Sequence, residues 1–170
     1  MRPDLGVLVE VTILSLIMGG ALLIPSGLPF AFYVTVAELA ATYLVHCPAH
    51  YIVGMVVGIK FRKIRFGKTT LARVLPPRFA NLARLVPILT LSTDRVSLTK
   101  ASKGRAAAMY ASGTVASVSS AFVIASVASF TEALLPAAAA WLIAVGYLAF
   151  DVVFSPRGGD IMKARAALRT

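Results

Sequence analysis

AFYVTVAELAATYLVHCPAHYIVGMVVGI, residues 31 to 59, is the stretch on which the reading of this chain turns. It contains no lysine or arginine and a single carboxylate, Glu38, and it exceeds the roughly 20 apolar residues that span a hydrocarbon core. A helix of that length and composition belongs in a membrane. Within it His46 and His50 stand four positions apart, one turn apart on one helix face, a spacing that lets two imidazoles reach one metal ion. Ionisable groups at that depth are costly, so function is the first reading; a histidine pair hydrogen-bonded between helices is the other.

The rest of the chain has the same character. With 58% hydrophobic and 14% charged residues among 170, it is too apolar for a soluble domain. The net charge of +10 would suggest nucleic acid in a soluble protein, so the placement of the cations decides between partners. Of the 17 lysines and arginines, Arg2 opens the chain, 12 fall from Lys60 to Arg105 and 4 from Arg157 to Arg169. Two long stretches between them carry none, and each has room for two crossings. Placing every basic segment inside predicts four transmembrane helices in the cell membrane, with both termini cytoplasmic and the basic residues against anionic lipid headgroups. No nucleic-acid module surrounds the basic segments, and Gly67-Lys68-Thr69 lacks the earlier glycine of a phosphate loop, that position being Arg62. The single cysteine excludes an intramolecular disulfide.

The expected fold is therefore an all-α integral membrane protein, one membrane domain over 1–170. Its helices are expected at about 5–24, 31–57, 103–130 and 134–154, with a cytoplasmic segment 58–102 and a short helix 161–168. The first is read as a retained helix, not a signal peptide, because it is long and carries Glu10. Pro48 lacks the N–H that would bond Leu44, which predicts a kink there. Basic and apolar residues alternate from Ile59 to Phe66, with Lys63 shifting the phase, which predicts a strand with a bulge. Thr70 to Leu75 is the expected returning strand of a small β-hairpin, and Phe79 to Leu91 an amphipathic segment along the interface. Ala108, Ser112, Ala116 and Ser120 form a row of small residues suited to packing against helix two, and Trp141 and Tyr147 suit interfacial anchors.

A zinc site built on two histidines needs a third protein ligand. Asp151 and Asp160 fall at the same end of the bundle as the histidines by this topology. Asp160 follows Gly158-Gly159, which can fold the chain back, but it equally suits the N-cap of helix 161–168.

The order of His46-x-x-x-His50, then Gly54-x-x-x-Gly58-Ile59-Lys60, basic strands, a small-residue helix and a last helix ending in Gly158-Gly159-Asp160 resembles the site-2 proteases, intramembrane zinc metalloproteases. The resemblance covers about Ala31 to Arg165. It implies zinc held by His46, His50 and Asp160, Ala111-Ser112-Gly113 as the small-residue motif of the central helix, and cleavage of transmembrane protein substrates. The family has His-Glu-x-x-His, whose glutamate is the general base; here that catalytic position is Cys47. A thiol with an ordinary pKa near 8.5 is a poor carrier of that role, and Glu38, eight residues up the helix, is about 12 Å away. The family's Asn-x-x-Pro is replaced by Asp151-Val152-Val153-Phe154, leaving Asp151 as the candidate substrate-binding residue.

Three functions stand open at this point. One is an intramembrane zinc protease, weak or inactive because of Cys47. The second is a non-catalytic scaffold or subunit of the same fold. The third is a small transporter or ion-relay subunit using Glu38, His46, His50 and Asp151.

Overall fold

The computed structural model describes residues 1–24, 27–67, 88–130 and 134–169. Within them α1 is Pro3–Gly20, with a 3-10 turn Ala21–Leu23 after it; α2 is Leu28–Leu44 and α3 His46–Val56. Strands β1, Phe61–Gly67, and β2, Ile88–Thr93, follow. The chain then runs through α4 (Arg95–Lys100), α5 (Lys103–Ser129), α6 (Leu134–Gly158) and α7 (Asp160–Arg169). Among the described residues four helical spans are long and apolar enough to cross a membrane: Pro3–Gly20, Leu28–Val56, Lys103–Ser129 and Leu134–Gly158. Leu16, Phe32 and Leu142 stand exposed on their outer faces, as side chains facing lipid do.

The join between α2 and α3 carries the signature of Pro48. Val45 keeps helical dihedrals (φ −79°, ψ −17°), and the Val45 and Ala49 amides bond the Ala41 and Val45 carbonyls at 3.0 Å. One rung is lost at the predicted place while the helical path continues. Where α3 ends, the Gly58 amide bonds the Met55 carbonyl (3.1 Å) and the Ile59 amide bonds the Gly54 carbonyl (2.8 Å). This pair of bonds, with Gly58 at φ +84°, is a Schellman cap, and it drives Ile59 into complete burial. Gly54 leaves the room in which the Phe61 ring lies.

Antiparallel β1 and β2 pair from Phe61↔Thr93 to Gly67↔Ile88, and the pairing skips Arg62, so the bulge is real and sits one residue before Lys63. The expected returning strand, Thr70 to Leu75, lies outside the described residues. The partner found is Ile88–Thr93, so the end of the expected interfacial segment 79–91 is strand. Leu89, Thr90 and Leu91 of this strand all border the central cavity. Asp94 caps α4, accepting from the Ser97 amide (2.9 Å) and pairing with Arg62 (2.7 Å). The amide first and the guanidinium second hold its carboxyl below the usual range.

Helix α5 is the centre of the bundle, packing on α2, α3, α6 and α7. Its buried row is Met109, Gly113, Ser117, Ala121 and Ala125. That is one residue on from the row expected at Ala108, Ser112, Ala116 and Ser120, of which Ala108 is exposed. A one-residue step rotates a helix face by about 100°, and small residues on both faces made the two indistinguishable by spacing. Ala140 and Ala144 of α6 meet this row together with Val34 and Ala41 of α2. Helix α6 also runs four residues past the expected end at 154, through Pro156 to Gly158. Trp141 donates to the Ser129 hydroxyl (3.0 Å), tying α6 to the end of α5, whereas Tyr147, expected as an anchor, borders the central cavity.

Ile59→Ala should cost about 2–4 kcal/mol, since a fully buried side chain at a helix cap leaves a cavity that its neighbours cannot close. Thermal unfolding in detergent would measure it, and an unchanged midpoint would mean that the cap does not hold α3 to the sheet.

Candidate metal centre

His46 and His50 begin and close the first turn of α3, with their rings at a centroid distance of 4.8 Å. Each ring is tied at Nδ1 by α5. His50 Nδ1 lies 2.6 Å from the Met109 carbonyl oxygen, which can only accept, so that nitrogen carries the proton. His46 Nδ1 lies 3.1 Å from Ser117 Oγ, and the Ser117 hydroxyl donates to the Thr42 carbonyl at 2.6 Å. With its own hydrogen committed, Ser117 Oγ accepts from His46. In the neutral rings both Nε2 atoms therefore present lone pairs, 3.2 Å apart. Gly113 makes this possible, because a Cβ there would lie 2.7 Å from His50 Cδ2 and closer still to Nε2.

Asp160 completes the group. Its Oδ2 lies 2.9 Å from His46 Nε2 and 3.1 Å from His50 Nε2, while Oδ1 pairs with Lys163 at 2.7 Å. The bend between α6 and α7 delivers it: a Cβ on Gly159 would press within 2.9 Å of the Ser155 Cα, and the Ser155 hydroxyl accepts from the Ile161 amide (3.3 Å). Instead of capping α7 as its alternative reading had it, the Asp160 side chain points at the histidines and Lys163. The Lys163 ammonium beside Oδ1 favours the charged form of the Asp160 carboxyl. It is anionic at neutral pH.

Three acceptor atoms thus meet at 2.9–3.2 Å. They repel one another unless a proton or a metal ion lies among them. Ligands about 2.0–2.1 Å from a tetrahedral zinc ion lie about 3.3 Å apart, close to the spacing seen, so the residues present fit a metal of that kind.

The other sequence candidates fall around this group. A cavity of about 340 Å³ opens beside it, bordered by Tyr43, Cys47, Leu89, Tyr147 and Asp151. The Cys47 thiol does not join the three acceptors; it donates to the Leu89 carbonyl at 3.2 Å, and the Leu89 amide donates to the Tyr43 hydroxyl at 3.2 Å. Asp151 borders the cavity near Ser155 and is also outside the three. Glu38 is fully buried, with no hydrogen-bond partner among the described residues, and it does not border the cavity.

No family model, curated protein or solved structure matches this chain. The description of the site thus rests on its own atoms. Sequence reading missed Ser117, the Met109 carbonyl and Lys163. Ser117 was discoverable only by choosing the right small-residue row of α5, whereas Lys163 was legible as the i+3 neighbour of Asp160.

Cys47→Ala is expected to cost about 1 kcal/mol, the loss of one hydrogen bond to a partly buried carbonyl, and to leave divalent-metal affinity unchanged. Metal titration of the purified variant would check this, and a collapse of affinity would make the thiol a ligand.

Proposed function

We propose that this chain is a multi-pass protein of the cell membrane that holds one zinc ion through His46, His50 and Asp160, on an architecture like that of the site-2 proteases. We further propose that it lacks efficient peptide-bond hydrolysis because Cys47 stands at the place of that family's general base. The observation that carries this reading is the convergence of three lone-pair-bearing atoms, two of them on rings whose Nδ1 protons are already committed. Two imidazoles and a carboxylate with no thiolate are the donor set of a catalytic type of zinc site, with a position left for another ligand.

Zinc bound there supplies Lewis acidity toward a carbonyl oxygen and eases deprotonation of a neighbouring water. The chain's own residues do the rest. Ser117 and the Met109 carbonyl hold each ring in the tautomer that frees Nε2, the outer-shell role that histidine ligands need. Asp160 brings the negative charge. At position 47, a carboxylate would take the proton from an attacking water; a thiol whose hydrogen is directed at the Leu89 carbonyl does not. A membrane-embedded substrate would enter through the cavity beside β2, where Asp151 would help to orient it.

The scaffold reading shares the metal centre and differs in whether catalysis can be recovered. The ion-relay reading is less well supported, because Glu38 stands apart from the cavity that the histidines and Asp151 share.

Purified protein should carry about one zinc per chain. His46→Ala, His50→Ala and Asp160→Ala should each weaken zinc by more than the roughly 10- to 100-fold typical of outer-shell changes, and unchanged affinity in any of them would remove that residue from the centre. Cys47→Glu should raise cleavage of a transmembrane substrate in liposomes by about 10²- to 10⁴-fold over the unmodified chain. A zinc-loaded but inert Cys47→Glu protein would favour the scaffold.

The orientation proposed rests on the 17 cations, all of which fall in segments assigned to the cytoplasm. Cysteines introduced at Ser26 and Thr131 should label from outside the cell; labelling from the inside alone would invert the topology.

A further inference from the structure

Tyr110 and Lys163 form a wall with space on both sides. On one side is the cavity of the histidines. On the other is an open hollow of about 800 Å³, bordered by α4, the start of α5 and α7. It is bordered by two ammonium groups, Lys103 and Lys163, by the hydroxyl-bearing Thr99, Ser102 and Tyr110, and by Leu98 and four alanines, with no carboxylate among the described residues that border it. Lys103 makes no ion pair among the described residues. The charged groups on this surface are both cationic, and a phosphate group is the complement that charge-assisted hydrogen bonds from two lysines best satisfy.

Lys163 is the shared member. Its ammonium lies 2.7 Å from Asp160 Oδ1 and 6.0 Å from the centre of the Tyr110 ring, and its side chain is 46% exposed. The ammonium is the exposed member of this pair and Asp160 the buried one, so an incoming dianion or phosphodiester can reach the ammonium and compete with Asp160 for it. We propose that this hollow binds a phosphate group, from an anionic lipid headgroup or from free phosphate, and that the occupant draws Lys163 off Asp160. With that ammonium gone, the carboxylate presents more of its charge to the histidine pair, and a divalent cation there is held more tightly. This last step rests on the metal reading above, whereas the anion site does not.

The test uses the full chain in phosphatidylcholine nanodiscs, with phosphatidylglycerol added to the disc or inorganic phosphate added to the buffer. Retention of phosphatidylglycerol is read by native mass spectrometry and phosphate binding by calorimetry. Lys103→Gln and Lys163→Gln should each weaken binding by about tenfold, the loss of one charge-assisted contact, and Lys163→Arg should retain it. Phosphatidylglycerol bound while phosphate is ignored identifies a lipid headgroup; saturable phosphate binding lost in the same variants identifies a soluble anion. Equal retention of both anions by the unmodified chain and a Lys103→Gln, Lys163→Gln double variant would overturn the site. Chelator competition then reads the coupling. Zinc affinity should rise with the bound anion in the unmodified chain and not in Lys163→Gln, and an affinity indifferent to a bound anion would overturn the coupling. Failure to bind zinc under any condition would overturn the metal reading and the coupling together, while the two binding measurements would still decide the anion site.

Discussion

Two imidazole lone pairs and a carboxylate oxygen are held about 3 Å apart at the edge of an apolar bundle, and most of what is specific in this structure serves to keep them there. Left to themselves, the groups would turn away from one another. They are prevented by bonds made on their far sides, from Ser117 and the Met109 carbonyl to the rings and from Lys163 to the carboxylate. The small side chains of α5 and α6 bring helices close enough for those bonds to form. Gly113 marks the point of closest approach, where the His50 ring lies almost on the backbone of the neighbouring helix.

The four apolar spans, the rung lost at Pro48 and the bulge near Lys63 were legible in the sequence because each follows from local chemistry: run length, a missing amide, a phase change in alternation. What was not legible depends on rotation and distance. The rows at Ala108 and at Met109 on α5 differ by one residue, and composition cannot choose between two faces that are both small. The pairing of β1 with Ile88–Thr93 is a contact across more than twenty residues, for which the basic run held no signal. Asp160 was ambiguous for another reason. A carboxylate at the start of a helix is equally suited to cap it or to turn away, and only the close packing of Gly159 on Ser155 decides the direction.

Cys47 shows how a position can keep its place in a fold after its chemistry has changed. Its neighbours on either side of the helix turn, His46 and His50, face the centre, while the thiol reaches sideways to the Leu89 carbonyl. Together with the Tyr43 hydroxyl on the Leu89 amide, it satisfies both backbone groups of one residue on the edge of β2 away from β1. In place of a proton acceptor, the helix has a clasp on the sheet.

That clasp has a mechanical side. Met1 exchanges backbone bonds with Ile64 on the far edge of β1 (its carbonyl accepting from the Ile64 amide at 3.1 Å), so the sheet is gripped by α2 and α3 on one edge and by the start of α1 on the other. A load applied to β2 would be transmitted through Leu89 to Tyr43 and Cys47, and so to the first turn of α3. The sheet is thus coupled mechanically to the helix carrying the histidines, and a pull on its edge would be felt as strain between their rings.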